Sequence, residues 1–355
     1  MSKLREPYTI TFVKWLLILS LPFQFIIIQN DDFKNSYFIT LYINNFKHLS
    51  ELRKSFFSIF SFSVGDLIYL LVVILTITYF FKNRFFYLNY KFYFLKDVFL
   101  FLSVVHVFFQ ISWGLNYHSE SLESKLNIDT QYSDEDLEKV VLYLIRKTNN
   151  LHSELSINDS TPVKFPFNKK QARILLTNKK NDIVKNSMLS SLISYMGYAG
   201  YLNPFTLEAQ VNEKIPMISY LTTIVHEQSH QNGIARENES NYWAYKITSN
   251  NKNKYIQYAG YSFALRYCLN DLYGKNKERS KLLSKNIHLG VKKNFKSINT
   301  FWEKYQNPFE PIFKKFYDRF LKINNQKLGV LSYNEMVSLV IFDLKNAIQQ
   351  KKLLL

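Results

Sequence analysis

The stretch ISYLTTIVHEQSHQNGIARENESNYWAYK, residues 218–246, decides how this chain is read. His226, Glu227 and His230 form an HExxH motif inside a helix-like run that Gly233 can end. Four-residue spacing puts both imidazoles on one helix face, where they can share a metal ion. Glu227 lies one residue along, beside the position that such a site leaves open for water, and can take a proton there. Zinc held by the pair would bring the pKa of its water to about 7, which makes a nucleophile available at neutral pH.

A catalytic zinc site needs a third protein ligand. Beyond Gly233 a second helix is expected, and it carries Glu237 and Glu239. The two are two residues apart, so they point to different faces and only one can meet the metal. Glu237 shares its face with Asn241, which can orient a ligand from behind. Glu239 shares its face with Tyr242 and Trp243, a pattern of packing or of a rim. Glu237 is therefore the favoured third ligand and Glu239 the alternative. Tyr242, Tyr245 and Tyr261 are candidate donors to a tetrahedral oxyanion, by proximity in sequence alone.

Outward from this motif, the N-terminal third reads as a membrane anchor. Apolar stretches run over Ile10–Ile28, about Phe62–Phe81 and about Asp97–Trp113, each close to the roughly 20 residues that cross a bilayer core as a helix. The first has a basic start, but IIIQNDD offers no small-residue cleavage site, so an uncleaved anchor is expected. Lys82, Arg84, Lys91 and Lys96 crowd the second loop. The positive-inside rule then puts that loop and the N-terminus in the cytoplasm, and everything after Trp113 outside. Asp66 is expected at the outer interface in contact with solvent, and His106 in a helix-packing hydrogen bond. HExxH follows the last span by more than a hundred residues without flanking apolar runs, so cleavage inside the bilayer is not expected.

Composition narrows the field. The chain has 355 residues, 47% of them hydrophobic and 21% charged, which excludes wholesale disorder. Its net charge of +17 comes with no nucleic-acid recognition motif, so no nucleic-acid partner is expected. The single cysteine, Cys268, excludes an intrachain disulfide and a multi-cysteine metal site. Ser133 reads as the N-cap of an amphipathic helix with Leu137, Val140, Val141, Leu144 and Ile145 on one face. ARILLT, residues 172–177, reads as a strand, and GYAGYLNPFTLEAQVNEK, residues 197–214, as strand–turn–strand. Helices dominate from Pro216 onward. The basic run from Gly274 to Lys296 reads as a solvated helix face, with anionic lipid headgroups as the rival partner.

The segment ENESN, residues 237–241, resembles the ExxAD element of gluzincin-type membrane zinc peptidases, with Ser240 for Ala and Asn241 for Asp. NPFTLEAQVN resembles the edge strand beside the active helix of those enzymes, to which an extended substrate can add. The metzincin pattern matches through Gly233 and fails at Arg236, which cannot bind zinc. FSVGDLIYLL, WGLNYH, NPFTLEAQVN, HEQSHQNGIARENESNYWAY, YAGYSFALRY and GVLSYNEMV together resemble an uncharacterised bacterial membrane family, domain of unknown function 3810. The resemblance implies a three-span anchor over residues 1–114 and a soluble zincin-like domain over 115–355.

The expected protein is mainly α, with three transmembrane helices followed by an α+β gluzincin-type domain whose C-terminal part is helical. It sits in the bacterial cytoplasmic membrane and uses Zn2+ to hydrolyse a peptide or protein substrate of the cell envelope. Membrane lipid is its other partner. The alternative is a non-catalytic envelope protein whose zinc site is structural or vestigial and whose basic domain binds an anionic partner. A closed set of metal ligands would favour that alternative.

Overall fold

The structure, a computed structural model, describes residues 8–177 and 183–349. It is mainly helical, with one three-stranded sheet. Three helices are long and apolar enough to cross a membrane: Tyr8–Gln29, Val64–Lys82 and Lys91–Ser112. Large side chains such as Leu71, Ile74 and Phe108 point outward from them. The first and third spans are joined by polar groups. Gln24 donates to the Ser103 hydroxyl at 2.8 Å, and His106 Nδ1 lies 2.7 Å from Gln24 Oε1. His106 thus makes the expected packing bond, in the way polar side chains join helices in a membrane.

The connection between the first two spans is more than a loop. Ser36 caps a 22-residue helix, Tyr37–Ser58, that buries Ile39, Phe46, Ser50 and Lys54. Two of its basic residues are committed to docking. Arg53 donates to the carbonyls of Ser112 (2.8 Å) and Pro204 (3.3 Å), and Lys54 to Asn232 Oδ1 (3.4 Å).

The second span starts inside the rest of the protein. Ser63 caps it, and the Val64 and Gly65 amides donate to Glu208 at 3.1 and 2.5 Å. A carboxylate here meets the positive end of the helix dipole. Lys185 Nζ stands 2.5 Å from the same carboxylate, with both side chains buried. Gly65 is required by close approach, since a Cβ there would fall 2.5 Å from Asn203 Nδ2. Asp66, expected in solvent, is fully buried. It accepts from the Met188 amide at 2.7 Å, from the Ser187 hydroxyl at 3.2 Å and from the Tyr201 hydroxyl. Chain more than a hundred residues downstream folds over it, which no local pattern records.

The sheet has the order β1 (Val184–Asn186), β3 (Ala209–Val211), β2 (Gly200–Leu202). β1 runs parallel to β3 and β2 antiparallel to it, with Tyr201 opposite Gln210. The strand–turn–strand expected over 197–214 is therefore β2 and β3. NPFTLEAQVN, however, supplies the central strand, and the edges are β1 and β2. ARILLT is not a strand: it lies largely in the helix Lys169–Leu176, opened by a capping box between Asn168 and Gln171 and burying Ala172 and Leu176. That reciprocal cap outweighs the β-preference of a short apolar run. Ser133 does cap the helix Asp134–Leu155, through the Asp136 amide at 3.1 Å.

The helix Met217–Gln231 runs through the main core, with Tyr220, Leu221 and Ile224 fully buried. The helices Glu237–Ser249 and Lys254–Lys275 complete that core. A second, smaller cluster of Phe46, Trp113, Tyr117, Leu207 and Ala235 joins the anchor to it. The Lys185–Glu208 pair yields a first prediction. Lys185→Ala leaves the Glu208 carboxylate buried without its cation, at a cost of about 3–5 kcal/mol. Thermal unfolding in detergent should show a lower midpoint for this variant. An unchanged midpoint would mean that the pair does not hold the junction.

Candidate metal centre

HExxH sits in the last turns of the helix Met217–Gln231. Gly233, at φ +89°, turns the chain out of it, a left-handed conformation that favours glycine. A side chain there would also strike Phe46, at 2.9 Å. Within four residues the chain enters the helix Glu237–Ser249, whose first residue points back at the histidines.

Three donor atoms converge. His226 Nε2 lies 3.1 Å from His230 Nε2 and 3.2 Å from Glu237 Oε2, and His230 Nε2 lies 3.4 Å from that oxygen. Ligands bound tetrahedrally at about 2.1 Å stand roughly 3.4 Å apart, so the triangle has the size that one metal ion requires. The three form a group able to hold such an ion, and no other His, Cys, Asp or Glu joins it among the described residues.

The reverse side of each donor is held. His226 Nδ1 lies 2.9 Å from Asn241 Oδ1, and Asn241 Nδ2 reaches the Tyr267 hydroxyl at 3.3 Å. His230 Nδ1 lies 2.7 Å from the Ile234 carbonyl, with the Ser240 hydroxyl at 3.2 Å. An acceptor at each Nδ1 places the proton there and turns the Nε2 lone pairs into the triangle. Tyr317 donates to Glu237 Oε1 at 2.7 Å, leaving Oε2 to face the imidazoles.

The electrostatics suit a cation. Burial alone would raise Glu237, but the two imidazoles outweigh it and hold the carboxyl well below the usual range. Burial would lower His230, and the Glu237 charge lifts it instead to about 9. In effect, a proton on His230 helps to balance the buried carboxylate where a metal ion could. Glu227 behaves differently. Burial pushes its carboxyl up to about 7, and its Oε2 is buried with no hydrogen-bond partner among the described residues. Gly200 makes room for it, since a Cβ there would fall 2.7 Å from Glu227 Oε1.

Glu239, the alternative ligand, is turned away: it accepts from the Leu122 amide at 2.9 Å and pairs with Arg236 at 3.3 Å. Tyr242, Tyr245 and Tyr261 do not line the cleft around the triangle but pack in the main core. The cleft, of about 850 Å³, is lined instead by Tyr198, Tyr201, Tyr267 and Tyr317. Tyr317 was not legible in sequence, being 80 residues from Glu237 with no motif around it. Trp113 is a second surprise. Its indole N–H donates to the His230 carbonyl at 3.0 Å, so the end of the third span touches the HExxH helix despite the sequence separation.

A second group, His152, Asp159 and His288, also lies close enough to share an ion. Asp159 is largely exposed, and His152 Nε2 is engaged by the Thr161 carbonyl at 2.8 Å.

Removal of any one of His226, His230 or Glu237 as alanine should abolish binding of a divalent transition metal in equilibrium dialysis, while Glu239→Gln should retain it. Asn241→Ala should weaken binding by about 10–100-fold, since His226 would lose its orienting partner. Full binding by Glu237→Ala would exclude the triangle as the ligand set.

No curated protein and no solved structure matches the chain. A family model described as Protein of unknown function (DUF3810) matches residues 42–341, from the first-loop helix through the triangle to the helix Met336–Gln349. The chain belongs to that family.

Proposed function

We propose that this chain is a membrane-anchored zinc metallopeptidase with a zincin-like soluble domain. The observation that carries the reading is the three-donor triangle opening on a cleft beside a buried, unpartnered carboxylate. Two imidazoles and one carboxylate form the donor set of a catalytic rather than a structural zinc site. When bound, zinc would polarise the scissile carbonyl and the attacking water.

The chain's own residues account for the rest. Glu227 takes the proton of the attacking water and hands it to the leaving amine. A carboxyl lifted by burial toward neutrality is suited to both transfers. Asn241, the Ile234 carbonyl and Tyr317 keep the donors aimed. β2 has β3 on one side, and its residues line the cleft, so an extended peptide can pair with its other edge. Tyr198, Tyr201 and the apolar residues around them exclude water from that peptide.

The rival reading, a non-catalytic envelope protein with a closed metal shell, needs a further ligand; among the described residues no other His, Cys, Asp or Glu joins the triangle, and Glu239 is turned away. That carboxylate is spent on Leu122 and Arg236. For location, we propose the bacterial cytoplasmic membrane with the soluble domain outside, on the charge asymmetry of the short loops. Glu227→Gln should keep about one zinc per chain and lower peptide cleavage by about 10²–10⁴-fold, the range for loss of a general acid–base group. Cleavage at the wild-type rate would remove Glu227 from the mechanism.

A further inference from the structure

The cleft that holds the triangle is walled partly by the membrane anchor. Tyr69 belongs to the second span, Phe109 to the third, and Trp113 follows directly at the third span's end. Gln29, Val64 and Ser112, the span termini on this side, all lie at the soluble domain's end of the anchor. Each of the three regions contacts it. Gln29 donates to the Ile323 carbonyl, the Val64 amide bonds Glu208, and Trp113, next to Ser112, donates to the His230 carbonyl. The donor triangle therefore sits just beyond the point where the spans leave the bilayer.

Two rims of the cleft carry unpartnered apolar groups at that level. One is the segment from Met188 to Tyr195. It is tied to the second span by the bond from the Met188 amide to Asp66, and Met188 and Leu192 are each 54% exposed. The other is the helix Glu310–Ile323. Phe309, Ile312, Phe316 and Ile323 fall on one stripe along it, and all four are exposed. Lys315, Arg319 and Lys322 flank the stripe. The helix turns inward beside that stripe: Tyr317 reaches Glu237, and the Phe320 ring, one turn beyond Phe316, lies 5.6 Å from that of Phe109. A helix tied to span ends, with large apolar groups outward and cations beside them, is built to lie in the headgroup layer.

We propose that the cleft takes its substrate from the bilayer surface: a polypeptide whose scissile segment lies immediately beside its own membrane anchor, either an acyl chain or a transmembrane helix. This rests on the peptidase reading above and adds the substrate class to it. A segment emerging from the bilayer passes between the two rims at the depth of the triangle, with Leu189, Leu192, Met196 and Phe320 lining its path. A free peptide has to reach the same place from water without that guidance. Tethering confines the substrate to the membrane surface and raises its effective concentration at the mouth.

The test uses the full chain in lipid nanodiscs. Cys268 is fully buried, so nitroxide labels can be directed to Met188→Cys and Phe316→Cys, with Ile157→Cys as a control. Power-saturation measurements should find the first two accessible to oxygen and shielded from a water-soluble nickel chelate, and the third the reverse. In the second arm, a fluorogenic mixed-sequence peptide library is presented in vesicles through an acyl chain, through a transmembrane helix, or untethered. Either tethered form should be cleaved about tenfold or more faster than the free one. The difference should close in Met188→Glu/Phe316→Glu, with zinc content and free-peptide cleavage unchanged. Mouth labels in water, or free peptide cleaved as fast as tethered, would overturn the substrate class while leaving the peptidase reading intact. No cleavage in any arm, with zinc bound, would refute the peptidase reading and the substrate class with it.

Discussion

A carboxylate fully removed from water is costly unless a compensating positive charge stands beside it. Glu237 is such a group, and the two imidazoles of HExxH are its compensation. Much of the surrounding architecture serves that convergence. Gly233 lets the chain reverse between the two helices, Asn241 and the Ile234 carbonyl fix the ring orientations, and Tyr317 holds the outer carboxylate oxygen. The same constraints that make the carboxylate tolerable leave three lone pairs facing one point. A cation bound there would take the place of the proton that Glu237 draws to His230.

The anchor and the soluble part are interlocked rather than tethered. Glu208 and Asp66 are each buried, and each receives hydrogen bonds across the junction between the second span and the sheet. Trp113 adds a bond directly to the HExxH helix. These contacts fix the position of the cleft relative to the ends of the three candidate spans. They also explain a first-loop helix whose basic residues bond to carbonyls on the domain.

How far the sequence reached depended on whether a signal was local. HExxH, its glycine stop and the third-ligand candidates lie within sixteen residues from His226 to Asn241, and helical periodicity alone ordered Glu237 before Glu239. The three spans were legible because an apolar run of that length has few other uses. ARILLT misled because a short apolar run suits either element until its cap is considered, and Asn168 with Gln171 was the available signal. The edge strand was misplaced by one strand, since pairing order follows from which neighbours meet in space.

By itself, then, the sequence determined the anchor, the chemistry-bearing residue types and their spacing along two helices. Those features arise from the regular geometry of a helix and from the thickness of a bilayer, both expressed over short distances in the chain. Only the tertiary structure decided that Asp66 is buried, that Tyr317 backs the Glu237 carboxylate and that the third span meets the HExxH helix. Each of these joins residues 80 or more positions apart. They depend on which buried polar groups find partners when the whole chain is packed, and that balance is not written in any local stretch.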